Sequence, residues 1–196
     1  MKKLVFAAAL ICSLAVSTLS CAERVNMKPK TPEEWRAYLR FRRDETLEAL
    51  YKVQPQARWE IMKAKGYATF TSLNVNLILA SMTGGRGIVH ENGLIGKDTY
   101  MRMAQGGVGF GLGVKDFRAV FIFDNQEVLN KFLSSGWQFG GEADAAVKGG
   151  GEGAAASGAI GIAPGLRVYQ LTENGLALQA TVHGTKYWLD DFVNGK

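Results

Sequence analysis

One stretch constrains this chain more than any other. Between residues 107 and 114 glycine alternates with apolar residues: Gly107, Gly109, Gly111 and Gly113 against Val108, Phe110, Leu112 and Val114. A period of two belongs to a strand, whose successive side chains point to opposite faces, and not to a helix. One face of such a strand is bare and the other apolar. Glycine inside a strand weakens it and marks close approach by a neighbour, so these four read as structural glycines that admit a packed layer. Lys115-Asp116 reads as a tight turn with Asp116 as turn former, and 117–123 as the strand that follows. The whole stretch predicts the central strand pair of the fold. A dinucleotide loop would need Gly-x-Gly-x-x-Gly opening a helix, and a phosphate loop would need Gly-Lys-Ser/Thr. The first spacing does not occur here and the second motif is absent, so no cofactor is expected.

The N-terminus reads as an address. Lys2 and Lys3 form a basic start, residues 4–16 an apolar run of signal-peptide length, and small residues follow, which assigns 1–22 as a signal peptide. The run is short for a transmembrane helix. Two processing routes stand. Ser20-Cys21-Ala22 suits cleavage that leaves a chain starting near Glu23. Thr18-Leu19-Ser20-Cys21 resembles a bacterial lipobox, with Thr18 where leucine is usual, and would make Cys21 the lipidated first residue. The expected location is therefore exported and periplasmic, with outer-membrane anchoring on the lipoprotein route. Losing Lys2 and Lys3 lowers the formal charge from +5 to +3. That is too mild a balance for a nucleic-acid protein. The mature chain keeps at most Cys21, since Cys12 lies in the signal, so neither an internal disulfide nor a cysteine-based zinc site is available.

Residues 23–30 read as a linker and 31–196 as one domain. Thr31-Pro32-Glu33-Glu34 is a strong helix start, with Thr31 as N-cap, Pro32 in the first turn and Glu34 closing a capping box. That helix is expected to run to Val53, and a second to cover 56–65 with Gly66 as its C-cap. Period-two patterning then takes over: 67–70, 75–80, 87–90, 94–95 and 100–103 read as strands, with Asn92-Gly93 as a hairpin turn. A short helix over 126–133, capped by Asp124 or Asn125 and ended near Gly136, precedes extended segments at 137–139, 159–162, 166–171 and 176–182, and Lys186-Tyr187-Trp188 closes the last strand. A Gly/Ala-rich loop spans 149–158. Glu-Asn-Gly-Leu occurs at 91–94 and again at 173–176, which hints at a duplicated β unit. The pattern predicts an α+β domain dominated by antiparallel β-sheet, sandwich or barrel-like, with packed N-terminal helices.

Chemistry is sparse. His90 and His183 are the two histidines, both in expected strands, and neither sits in a metal-ligand spacing. There is no Gly-x-Ser-x-Gly elbow and no His-Glu-x-x-His, so the chain is read as a non-enzyme without a metal; a small hydrolase would need the histidines, or one of them with a carboxylate, to converge. The first helix carries the functional candidates. Arg36, Arg40 and Arg43 follow one stripe with Arg42 beside them, accompanied by Trp35 and Tyr38. Cations and aromatics so arranged suit the phosphates and headgroup layer of an anionic membrane. The same pattern also suits a core-packed helix with a solvated arginine face, because 33–52 holds five basic and five acidic residues.

From Ala64 onward the order of features resembles the SYLF lipid-binding domain family. The matching elements are Ala64-Lys-Gly-Tyr-Ala-Thr-Phe70, Gly84-Gly-Arg-Gly87, Gly107-Val-Gly-Phe-Gly-Leu-Gly113, Asp116 with the Val-Phe-Ile-Phe strand, Gln126-Glu-Val-Leu-Asn-Lys-Phe132, Gly140-Gly-Glu-Ala-Asp144 and the segment from Tyr169 to Trp188. The resemblance spans about 36–188. It implies a β-rich domain with packed helices that binds anionic phospholipids, phosphoinositides in eukaryotic relatives, partly through a basic N-terminal helix. Arg36, Arg40 and Arg43 are the positions that fill that role here. Two departures stand out: Gly96-Lys-Asp-Thr99 replaces a Trp-Ser-Pro-like element, and Lys148-Gly-Gly-Gly151 replaces a Gly-Pro segment. The expected partner is thus an anionic phospholipid surface. The alternative is an envelope scaffold that docks a protein partner through a sheet edge or the Gly/Ala loop.

Overall fold

The computed structural model describes residues 28–73, 81–107, 118–138, 160–172, 175–177 and 185–196. The elements in chain order are α1 (Pro32–Val53), α2 (Ala57–Lys63), β1 (Gly66–Leu73), β2 (Ser81–Glu91), β3 (Lys97–Gly107), β4 (Arg118–Phe123), α3 (Gln126–Ser135), β5 (Trp137–Gln138), β6 (Ile160–Ala163), β7 (Leu166–Thr172), β8 (Gly175–Ala177), β9 (Thr185–Leu189) and α4 (Asp191–Asn194). The strands form one sheet in the order β5-β9-β3-β2-β1-β4-β7-β6, with β8 also on β7. Every described pairing is antiparallel. This is the α+β, sheet-dominated class that the patterning predicts.

The helix ends follow local chemistry. Thr31 Oγ1 accepts from the Glu34 amide at 3.2 Å, and Glu34 accepts from the Thr31 amide at 3.3 Å, which completes the capping box. A further bond from the Lys30 amide and the one from Thr31 hold the Glu34 carboxyl below its ordinary range. Leu39, Thr46 and Leu50 are buried against the sheet. Asn125 caps α3 through the Val128 amide, and Gly136 follows that helix at a φ of 67°.

The sheet curls strongly. β9 and β4 stand four strand spacings apart in the order, roughly 19 Å if flat. Yet the rings of Tyr187 on β9 and Phe121 on β4 are 5.4 Å apart, centroid to centroid. Phe70 and Phe132 complete this aromatic centre with Ala68, Val89, Met101, Met103 and Leu129. Gly85 and Gly87 on β2 make room on the inner face: a Cβ at Gly87 would fall on the Phe70 ring and the Thr69 carbonyl, and one at Gly85 would meet Met103 at 2.7 Å. The opposite face carries Tyr67, Val120, Ile122, Tyr169 and Leu171 under α1 and α2. Ile88 and Tyr100 on that face meet Leu39 of α1 and Val193 of α4.

Several local expectations are corrected. The expected pairing of a 107–114 strand with 117–123 falls on residues 108–117, which lie outside the described residues; of the described strands, β3 lies between β2 and β9, and β4 between β1 and β7. Gly107 pairs with Ser81 at the end of β3; Gly109, Gly111 and Gly113 lie outside the described residues. The 94–95 strand does not form. His90 opposes Asp98 and Glu91 opposes Lys97, so 92–96 is a five-residue connection, and Gly96, not Gly93, has positive φ. Asn92 is used elsewhere: its Nδ2 donates to the Ile61 and Ala64 carbonyls at 2.7 and 2.9 Å and its amide to Lys65 at 2.9 Å, satisfying the C-terminal turn of α2. Gly66 consequently opens β1, and α2 is capped at Ala64. In the second Glu-Asn-Gly-Leu, Gly175 pairs with Thr172, whereas Gly93 of the first lies in the β2–β3 connection; Glu173 and Asn174 lie outside the described residues. The 1–22 signal, Cys21, the 75–80 strand, the 149–158 loop and His183 lie outside the described residues.

Candidate functional site

The arginine stripe of α1 turns out to be largely committed to the protein itself. Arg36 Nε donates to the Val193 carbonyl at 2.7 Å, tying α1 to α4. Arg42 pairs with Glu45 at 2.6 Å, and Arg118 of β4 reaches the same carboxylate at 3.7 Å. Arg43 pairs with Asp44 at 2.8 Å and with Asp98 at 3.6 Å. Burial opposes the Arg43 charge, but Asp44, with Tyr67 and Asp98, leaves its pKa raised. Arg40 is the most open of the four, its side chain 51% exposed, with Nε 3.1 Å from the Tyr100 hydroxyl and 3.9 Å from Asp98. Trp35 packs edge-on against Tyr38 at 5.8 Å and lies under the Arg86 guanidinium at 3.9 Å. Both aromatics are partly buried against Leu39, Ile88, Tyr100 and Val193. The structure thus gathers the six α1 residues at a helix–sheet seam, with Arg40 at its rim.

A different surface has exposed cations and exposed apolar groups, although the Arg58 guanidinium lies over the Tyr51 ring at 4.5 Å. In α2 the residues Ala57 and Ile61, with Ala64 just beyond, face the sheet. Trp59 and Met62, three apart on the other side, are 63% and 64% exposed. Arg58, Lys63 and Lys65 are exposed around them. The carboxylate of Glu60 turns inward, accepting from Arg167 at 2.7 Å and from the Tyr169 hydroxyl at 2.8 Å. Arg167 also forks onto Asp124 at 2.7 and 3.0 Å, and that bond above all raises its pKa. The one acidic residue of α2 is therefore held by the core, leaving its outer side cationic and apolar. Next to it, Leu94 and Ile95 in the β2–β3 connection are fully exposed, and Lys97 at the base of the loop is exposed too.

Elsewhere the ionisable groups are structural. His90 Nδ1 is 2.7 Å from Asp98 Oδ1, so one histidine does meet a carboxylate; Arg40 and Arg43 share that carboxylate and Tyr67 covers the ring at 5.3 Å. Burial pushes Tyr67 up to about 12, and raises Tyr169 and Tyr187 as well. Among the described residues no three His, Cys, Asp or Glu gather in a metal-binding group, and no helix is long and apolar enough to cross a membrane.

Sequence reasoning passed over Trp59, Met62, Leu94 and Ile95. The signal for the first two was present: α2 has apolar residues off its 57/61/64 stripe, so they cannot all face one sheet. For the second two, consecutive aliphatics in any strand would leave one outside.

No protein-family model matches the chain. It is similar to Beta cell expansion factor A of Aeromonas veronii, with 34% identity over 164 residues covering 84% of this chain and 60% of that protein. The chain thus spans about 60% of the length of that curated relative.

Proposed function

We propose that this is an exported, non-enzymatic protein that associates peripherally with anionic membrane surfaces. The observation that carries this reading is the outer side of α2, where exposed Trp59 and Met62 sit among Arg58, Lys63 and Lys65 while Glu60 is withdrawn to Arg167 and Tyr169. Cations attract lipid phosphates, and an aromatic ring with a flexible thioether beside them suits the headgroup boundary. The resemblance to the SYLF family supports the same ligand class. Arg40 adds a cation at the rim of the α1 seam; Arg36, Arg42 and Arg43 serve chiefly to hold α1 in place. Export rests on the 1–22 segment, and mass spectrometry of the mature N-terminus distinguishes cleavage near Glu23 from acylation of Cys21.

Co-sedimentation with phosphatidylglycerol-containing and with pure phosphatidylcholine vesicles tests the reading. Binding should favour the anionic vesicles, weaken with salt, and fall on Lys63→Glu with Lys65→Glu. Equal recovery from both vesicle types would sink it. The likeness to Beta cell expansion factor A carries a second reading, that this chain shares the effect for which that relative is named. Counting beta cells after exposure to the purified protein tests that; an unchanged count discards it.

A further inference from the structure

We propose that the β2–β3 loop is a bilayer-insertion wedge: Leu94 and Ile95 enter the acyl boundary of an anionic membrane while the cations of α2 hold the phosphates. This rests on the membrane-surface reading above and names the element that anchors it. The loop is short, running from Asn92 to Gly96 between the paired Glu91 and Lys97. It carries two adjacent large aliphatics, both fully exposed. A soluble protein gains by burying such residues, and a contiguous exposed apolar patch rimmed by polar groups marks a contact surface. The loop is also held firmly. Asn92 bonds three backbone carbonyls, those of Ile61, Ala64 and Lys65, so the tip and the C-terminal end of α2 form one unit. Gly96, at a φ of 56°, turns the chain back where a Cβ would meet the His90 ring at 3.0 Å. The surroundings choose the occupant: Lys63 and Lys65 at the α2 end are exposed, as is Lys97 at the loop base, whose Nζ also lies 3.7 Å from Glu91, and exposed cations beside a protruding apolar tip complement a negatively charged interface.

The experiment uses the full chain with Leu94→Asn and Ile95→Asn together, in flotation with vesicles of phosphatidylglycerol and phosphatidylethanolamine. The variant should keep its melting temperature, since both side chains are solvent-exposed, and lose about ten- to a hundredfold in partitioning, as expected for two aliphatic groups withdrawn from an apolar phase. In parallel, an environment-sensitive fluorophore on Leu94→Cys, with Cys12 and Cys21 changed to Ser, should shift to the blue on vesicle addition, while the same label on Asn130→Cys of α3 should not. If the unaltered protein binds and the double variant binds equally, with the label still in water, the wedge is overturned and the membrane reading survives. Failure of the unaltered protein to bind overturns both. Concentration-dependent dimers in light scattering that vanish in the double variant would assign the tip to a second copy, and the wedge would fall.

Discussion

Asp190→Asn separates the structural role of the α1 seam from membrane contact. Asp190 is buried at the entry to α4. Its Oδ2 lies 2.6 Å from Arg86 Nε and 3.6 Å from Arg102 Nε, and its Oδ1 accepts the Val193 amide at 3.3 Å. Arg86 is in turn clamped against Trp35. Asparagine keeps an oxygen for the helix cap but removes the counter-charge, leaving a largely enclosed guanidinium without its carboxylate. Breaking a buried pair from one side costs about 3–5 kcal/mol. Arg86 retains some solvent contact and Arg102 is half exposed, so the lower end, about 3 kcal/mol, is expected. At a urea slope of about 1–3 kcal/mol/M the unfolding midpoint should fall by roughly 1–3 M with the slope unchanged. Replacing both partners, Arg86→Met with Asp190→Leu, should recover most of the loss, because apolar groups need no counter-charge. A loss below about 0.5 kcal/mol, within the range of ordinary surface substitutions, would refute the reasoning, as would a double variant no better than the single. Vesicle binding by the still-folded variant should be unchanged, since α2 and the β2–β3 tip do not touch this pair.

Three further outcomes follow from the packing. Gly87→Ala places a methyl on the Phe70 ring and the Thr69 carbonyl, so thermal unfolding should show a loss of about 1–3 kcal/mol, whereas Gly84→Ala, with open space around it, should lose far less. Asn92→Ala removes two side-chain bonds to α2 carbonyls and should cost about 1–3 kcal/mol in urea unfolding, with faster hydrogen exchange at the end of α2. Stability should decline in alkali. Tyr67 stays protonated in the fold up to about 12 but ionises near 10 when unfolded, so its contribution is complete below pH 10 and lost between 10 and 12. That is about 2–3 kcal/mol. Tyr67→Phe should flatten that decline, and an unchanged pH profile would contradict the assignment.

Much of the architecture was legible because its determinants are local. A cap involves residues within about four positions of one another, so Thr31 with Glu34 defines the start of α1, Gln54 before Pro55 its end, and Asn125 the start of α3. Period-two patterning from residue 67 onward, with the continuous apolar run of β4, likewise declared an antiparallel, sheet-dominated fold. The site was less legible. The arginines of α1 have the spacing of a membrane-facing stripe, and spacing cannot say where the opposing carboxylates are. Asp98 on β3 meets Arg40 and Arg43, while the Val193 carbonyl of α4 receives Arg36.

The sequence by itself determined both ends of α1, the start of α3 and the class of fold, since these are set by interactions along a few residues of chain. Tertiary structure alone decided that β3 lies beside β9 and β4 beside β7, that Asn92 serves α2 and not a two-residue turn, and that Glu60 is drawn inward by Arg167 and Tyr169. It also decided that Leu94, Ile95, Trp59 and Met62 stay in water. Those outcomes depend on partners that are distant in sequence and meet when the sheet closes over its aromatic centre.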